Sequence, residues 1–337
     1  MQITSSPFAG FVAALSFVLL LFYTPVVIAH TFSENENALF LTLINKIKAE
    51  TQLVAHDTGN NTQQAQVHAK AAVGLLTQND PVVNTTWTSQ ISELNPRITA
   101  DLLKSLNDLR NTVISPTSSP SSSNSNSIQS KVANIDNLLD EAATVRISSN
   151  LLNNPKTQAL VLANLGNEVY NNYGKALGIP ESTIASMGGM KMTGMSMSMS
   201  MNTAANSSGS SSGMSGMNMG SNKSSMNMGT GNNSGSMSGT NSMNGQSAMN
   251  QNNPSIKNMT AYETAQALVS IAQQAFVKNF KPIAPSNATS STINVGKYID
   301  ELKNAISNKA SFMTVMETVH VKLHPTLITA YNLTTGK

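Results

Sequence analysis

The 337-residue chain has no cysteine, which removes disulfide staples, thiolate metal sites and thiol catalysis together. Charge is scarce: 11% of residues are Asp, Glu, Lys or Arg, the net charge is +3, and no basic stripe marks a nucleic-acid surface. Aromatic residues make up 5% of the chain, with Trp87 the single tryptophan, too few for a stacking platform for single strands or sugars. No nucleophile elbow, P-loop or dinucleotide fingerprint occurs, and paired carboxylates such as Asp140-Glu141 adjoin in sequence and so face apart on a helix. The expectation is a binding protein and not an enzyme.

No Lys or Arg precedes Lys46, and Phe8 to Ile28 is almost wholly apolar. Pro25 and the small-residue run Val27-Ile28-Ala29 read as the end of an export signal, and the apolar run is also long enough to span a bilayer. Residues 1–29 are therefore either a cleaved signal peptide or an uncleaved membrane anchor. In both cases the bulk of the chain is expected outside the cytoplasm, as a secreted, periplasm-like or cell-surface protein. Cleavage after Ala29 would expose His30 as the first residue, with an α-amino group beside its imidazole. That end resembles half of the histidine brace of copper proteins, which implies one Cu(II) site there.

The next regions read as helix. Phe40, Leu43, Ile44, Ile47 and Val54 recur at helical spacing to about His56, and Asp57-Thr58-Gly59-Asn60 is a stop. A second helix runs from Thr62 to Thr77 with Ala65, Ala69, Ala72 and Leu76 on one face, before Asp80-Pro81. Residues 86–113 hold one or two more, interrupted at Asn95-Pro96. These elements form a helical region over 30–114, followed by a Ser/Pro/Asn linker at 115–127. A hairpin is expected over 128–180: one helix through Ile128, Val132, Ile135 and Leu139, the next opened by Asn154-Pro155 and closed by Gly178. A C-terminal hairpin is expected over 258–337, its second arm one long helix from Val295 to Leu323 that Pro325 kinks or stops. With no convincing strand, the fold class is all-α, antiparallel helical hairpins in one or two bundles.

Between these hairpins lies a segment, 181–257, of a different kind. Met187 to Met249 holds fifteen of the nineteen methionines, set in Gly, Ser, Asn and Thr. Its M-x-M and M-x-x-M spacing runs through Met187, Met190, Met192, Met195, Met197, Met199 and Met201, then Met214, Met217 and Met219, then Met226 and Met228. Without Leu, Ile, Val or Phe at a helical or strand period it cannot form a core, and its composition is that of a disordered coil. A thioether at every second or third position offers soft, neutral, non-titrating donors, the kind that Cu(I) selects. A plain spacer and an oxidant sink are the other uses of such methionines. The segment resembles the "Mets" motifs of Ctr-type copper transporters and of Met-rich periplasmic copper-resistance proteins. The resemblance covers these residues alone and implies copper handling; the transporters' membrane signatures are missing.

The five histidines are the second source of donors. On the last helix Met313, Met316, His320 and His324 fall at i, i+3, i+7 and i+11, with Glu317 beside them. Such a stripe could ligate a metal with help from another helix, or simply fill core. His56 and His68 flank a turn that could bring them together. The reading that follows is an exported helical protein that binds, buffers or delivers copper, chiefly Cu(I), with Cu(II) at histidine sites. Its partners would be copper ions and extracytoplasmic cuproenzymes or a membrane complex, and not nucleic acid. The alternative is a structural, complex-associated envelope protein whose Met-rich segment is a tether.

Overall fold

A computed structural model describes residues 34–79, 85–114, 122–188 and 254–333. All regular structure among them is helical, as the periodicity requires, and no described helix is long and apolar enough to cross a membrane. Residues 1–33, including the export segment and His30, lie outside the described residues. So do Met190, Met192, Met195, Met197, Met199, Met201, Met214, Met217, Met219, Met226 and Met228.

The helices from Glu34 onward form one compact unit. The first four long ones are α1 (Glu34–Asp57), α2 (Thr62–Thr77), α4 (Pro96–Ile114) and α5 (Ser122–Arg146), with a short α3 (Trp87–Leu94) between the second and third. They pack as a ring in chain order: α1 on α2, α2 on α4, α4 on α5, and α5 back on α1. A short α6 (Ser149–Leu152) leads to the second set: α7 (Pro155–Ala176), α8 (Glu181–Gly188), α9 (Met259–Ala275), α10 (Thr289–Ser307) and a C-terminal rod. The rod is α11 (Phe312–Met316), a π-helical stretch (Glu317–Leu323) and α12 (His324–Tyr331). Here α7 packs on α9, α9 on α10, α10 on the rod, and the rod back on α7. Two sequential four-helix rings thus share a wall, in which α1 contacts both α7 and α9. Residues 128–180 divide between the rings, and α5 begins at Ser122, inside the expected linker.

Several helix starts have a clear chemical cause. Asn61 caps α2 by accepting from Gln64 N–H (3.2 Å), and Asn258 caps α9 by accepting from Ala261 N–H (3.1 Å). Asn154 caps α7 through Lys156 N–H (2.8 Å), with Pro155 in the first turn where its missing donor costs nothing. Gly178, two residues beyond the last residue of α7, turns the chain away with a φ of 73° that suits glycine. The N–H groups of Lys257 and Asn258 both donate to Ala176 O (2.8 and 3.0 Å), so the chain re-enters from the Met-rich segment onto the end of α7.

Helix α7 is the most enclosed element. From Thr157 to Gly166 every residue is buried, because α1, α9 and the rod pack around it. In the first ring the buried Arg146 lies over the faces of Phe40 (4.3 Å) and Trp87 (5.2 Å), a cation held by aromatic quadrupoles where α3 and α5 meet α1.

The expected long last helix is two. Its chain turns at Asn308 to Ser311, with Lys309 at φ 50° and Ala310 N–H donating to Ala305 O (2.8 Å), and Ser311 then caps α11. Nor does Pro325 stop the rod. Proline leaves the carbonyl four residues back without a donor. The rod accommodates it by widening one turn: His324 N–H bonds Val319 O, five residues back, and helix continues to Tyr331. The buried positions Val315, Val319, Leu323, Leu327 and Tyr331 repeat every four residues. A 3.6-residue helix would drift by about 40° per step over such a repeat, and the wide turn absorbs that drift.

Candidate metal centres

The wide turn of the rod sets one cluster of donors. Val319 and Leu323 face the core and His324 is fully buried beside them, its Nε2–H donating to Ala163 O of α7 (3.0 Å). A carbonyl only accepts, so Nε2 carries the hydrogen and Nδ1 of the neutral ring presents a bare lone pair. That Nδ1 is buried with no hydrogen-bond partner. Gly166 makes the approach possible: a Cβ there would lie 3.2 Å from Leu323 Cδ2 and 3.5 Å from His324 Nε2.

One turn earlier, His320 is stranger. Both of its ring nitrogens are buried and neither has a hydrogen-bond partner. Its ring meets His324 edge-to-face at 5.1 Å and Tyr170 at 4.6 Å, while Tyr170 stacks on Phe312 (4.8 Å) and donates its hydroxyl to Ile184 O (3.1 Å). A neutral imidazole must carry one N–H, and leaving it unmet in the interior costs about 1–3 kcal/mol. An aromatic face compensates only weakly. Burial pushes His320 down to about 3, with the neighbouring His324 adding to the effect. Burial likewise pushes His324 down to about 4, against the opposing bond to Ala163. Both rings are therefore neutral over the whole ordinary pH range.

Met316 precedes His320 by one turn and is partly buried against the core, as is Met187 at the end of α8, one turn past Ile184. Met313 points outward, 39% exposed, because the rod's buried stripe runs through Phe312 and Val315. Glu317 also faces solvent and pairs with Lys322 (3.5 Å), so it does not join the histidines. Of the residues expected to form sites, the fold brings Met316, His320 and His324 onto one rod, with the two imidazoles in contact.

A second cluster went unrecognised in the sequence. Asp57 ends α1, where Gly59 (φ 107°) turns the chain into α2. Glu50 lies two turns back on the same face of α1, and His68 projects from α2 between them. The His68 Nδ1–H donates to Glu50 Oε2 (2.6 Å), and Thr264 of α9 donates to the other Glu50 oxygen (3.1 Å). On the far side of the ring, Nε2 lies 3.4 Å from Glu263 Oε2 and 3.7 Å from Asp57 Oδ2. Burial opposes the imidazolium, but the carboxyl groups of Glu50, Glu263 and Asp57 outweigh it and raise the His68 pKa above its ordinary value. His56 is not a member: its side chain is 76% exposed and bonds only the outer oxygen of Asp57 (2.9 Å).

Surface grooves lined by Thr88 and Glu93, by Gly296 and Asp300, and by Lys104 and Asp108 contain no histidine. No family model matches the chain, and neither a curated protein nor a solved structure matches it.

Proposed function

We propose that this protein binds copper outside the cytoplasm and buffers or delivers it, chiefly as Cu(I). One observation carries the reading: two contacting imidazoles, the fully buried His324 and the half-buried His320, hold three solvent-shielded nitrogen atoms without a hydrogen-bond partner in an apolar part of the second ring. Cu(I) accepts two to four soft neutral donors, and a pair of neutral imidazoles with a thioether at hand suits it better than a hard cation. Met316 is the nearest thioether along the rod. The bond from His324 Nε2 to Ala163 fixes the tautomer, as outer partners of metal-binding histidines do.

Low histidine pKa values support the same use. Free histidine loses copper to protons below about pH 6.5. Rings held at about 3 and about 4 stay open to metal in acid, as do the thioethers of Met187 to Met228. The Met-rich segment then serves as the capacity of the system and the imidazole pair as its ordered site. The chain's own entry point favours transfer between them, since the segment leaves from α8 beside Tyr170 and returns on the end of α7. Cu(II) would be confined to imidazole sites, including His30 if export cleavage frees it.

The test is a Cu(I) titration of the full chain against a competing chelator. It is run beside one variant with the segment's methionines changed to Leu and another with His320→Leu and His324→Leu. The first variant is expected to lose most of the capacity and the second the tightest equivalent. Unchanged stoichiometry and affinity in both would overturn the reading.

A further inference from the structure

We propose that Asp57, His68 and Glu263 form a site for a divalent first-row transition cation of the zinc kind, with Glu50 orienting the histidine. The proposal does not depend on copper binding at the rod. The three ligand atoms all lie within 4.8 Å of one another. Zinc bonds of about 2.0–2.2 Å at tetrahedral angles place ligands about 3.3–3.6 Å apart. The separations from His68 Nε2, 3.4 and 3.7 Å, are already of that size.

The order around the imidazole is that of a metal ligand. Glu50 only accepts, which places a hydrogen on Nδ1 and directs Nε2 at the two remaining carboxyl groups. A carboxylate behind a histidine fixes its tautomer and raises its basicity toward a metal. Asp57 supplies an independent observation. It is 4% exposed, and its Oδ2 faces Nε2 with no hydrogen-bond partner. That oxygen also sits at the C-terminal end of α1, where the helix dipole disfavours an anion. An imidazolium shared between Glu50 and Glu263 would still leave it unmet, whereas a cation between Asp57, His68 and Glu263 would satisfy it.

The donor set is one nitrogen and two oxygens with no sulfur, which suits zinc and its neighbours and not Cu(I). Gln64 closes another side, its amide nitrogen 3.4 Å from His68 Nε2 and bonded to Thr260 Oγ1 (2.5 Å). Glu263 is partly exposed, 22% at the side chain, and gives an ion its way in. The ligands come from α1, α2 and α9, so the ion would tie the first ring to the helix that resumes the chain after the Met-rich segment.

The experiment uses the full chain stripped with chelator. Zn2+ is titrated calorimetrically, Co2+ by its visible absorption, and melting is recorded with and without Zn2+. One equivalent, Co2+ bands of tetrahedral intensity and a melting temperature higher by about 5 °C at a hundredfold excess over Kd are expected. Glu263→Gln and Asp57→Asn, which keep shape and hydrogen bonding, should each weaken the site at least a hundredfold. Glu50→Gln should weaken it by about ten- to a hundredfold. His320→Leu with His324→Leu should leave it unchanged. Zn2+ binding that is equal in the parent chain, Asp57→Asn and Glu263→Gln, or no saturable binding in the folded parent, would overturn the proposal.

Discussion

The molecule buries histidine in two places and treats it in opposite ways. His68, in the seam between the rings, is surrounded by Glu50, Asp57 and Glu263, which hold its pKa above the ordinary value despite burial. His320 and His324, in the second ring, have aromatic and aliphatic neighbours and one carbonyl, and their pKa values fall to about 3 and about 4. On the proposed assignments, the same side chain serves a hard cation in one place and a soft one in the other. Neighbours assign the chemistry; residue type only permits it.

Removing the imidazole should separate the two places most sharply. His68→Leu leaves Glu50 buried without its partner and should destabilise the protein by about 3–5 kcal/mol in chemical denaturation. His320→Leu removes a half-buried ring with no hydrogen bond to lose, so in metal-free protein it should be neutral or stabilising by about 1 kcal/mol. Equal losses from both substitutions would abolish the contrast.

Acidity gives the next largest effect, and its sign differs between the places. Below pH 6.5 the unfolded chain protonates His320 and His324 while the fold keeps them neutral, so stability falls as pH drops from 6.5 toward 4. Each contributes a slope of up to about 1.4 kcal/mol per pH unit in that window. His68 acts the other way: its contribution is full below pH 6.5 and is lost as pH rises through its higher folded value. Denaturation of metal-free protein from pH 4 to 9 should show the acid limb flatten in the His320→Leu/His324→Leu variant. His68→Gln should flatten the limb above pH 6.5.

Much of this arrangement could be read from the sequence. The segment Thr62–Thr77 is a helix because Asn61 caps it and its alanines share a face. His320, His324 and Met316 were legible as a stripe because side chains on one helix keep a fixed spacing. The turn at Lys309 was not, since neither Gly nor Pro marks it and a lysine takes the left-handed conformation. Its one signal was Ser311, a capping residue inside the supposed helix. The wide turn before Pro325 also had a trace, the four-residue repeat from Val315 to Tyr331. The seam cluster had none. Glu263 is 195 residues from His68 and only the docking of α9 on α2 brings them together.

Smaller effects sharpen the assignment. Gly166→Ala inserts a methyl 3.5 Å from His324 Nε2 and 3.2 Å from Leu323. It gains up to about 1 kcal/mol of helix propensity and loses a similar amount to crowding, so stability should change little. Cu(I) affinity should fall about tenfold as His324 is displaced, measured by chelator competition. Glu317→Gln, on the solvent side of the same turn, should change copper affinity by less than twofold and stability by less than about 0.5 kcal/mol.

The most direct measurement is X-ray absorption at the copper edge of the full chain loaded with one equivalent of Cu(I) at pH 5, beside His320→Leu/His324→Leu. The expected result is imidazole nitrogen in the copper shell of the parent chain and a sulfur-only shell in the variant. A sulfur-only shell in both would contradict the assignment of the His320–His324 pair as the ordered copper site.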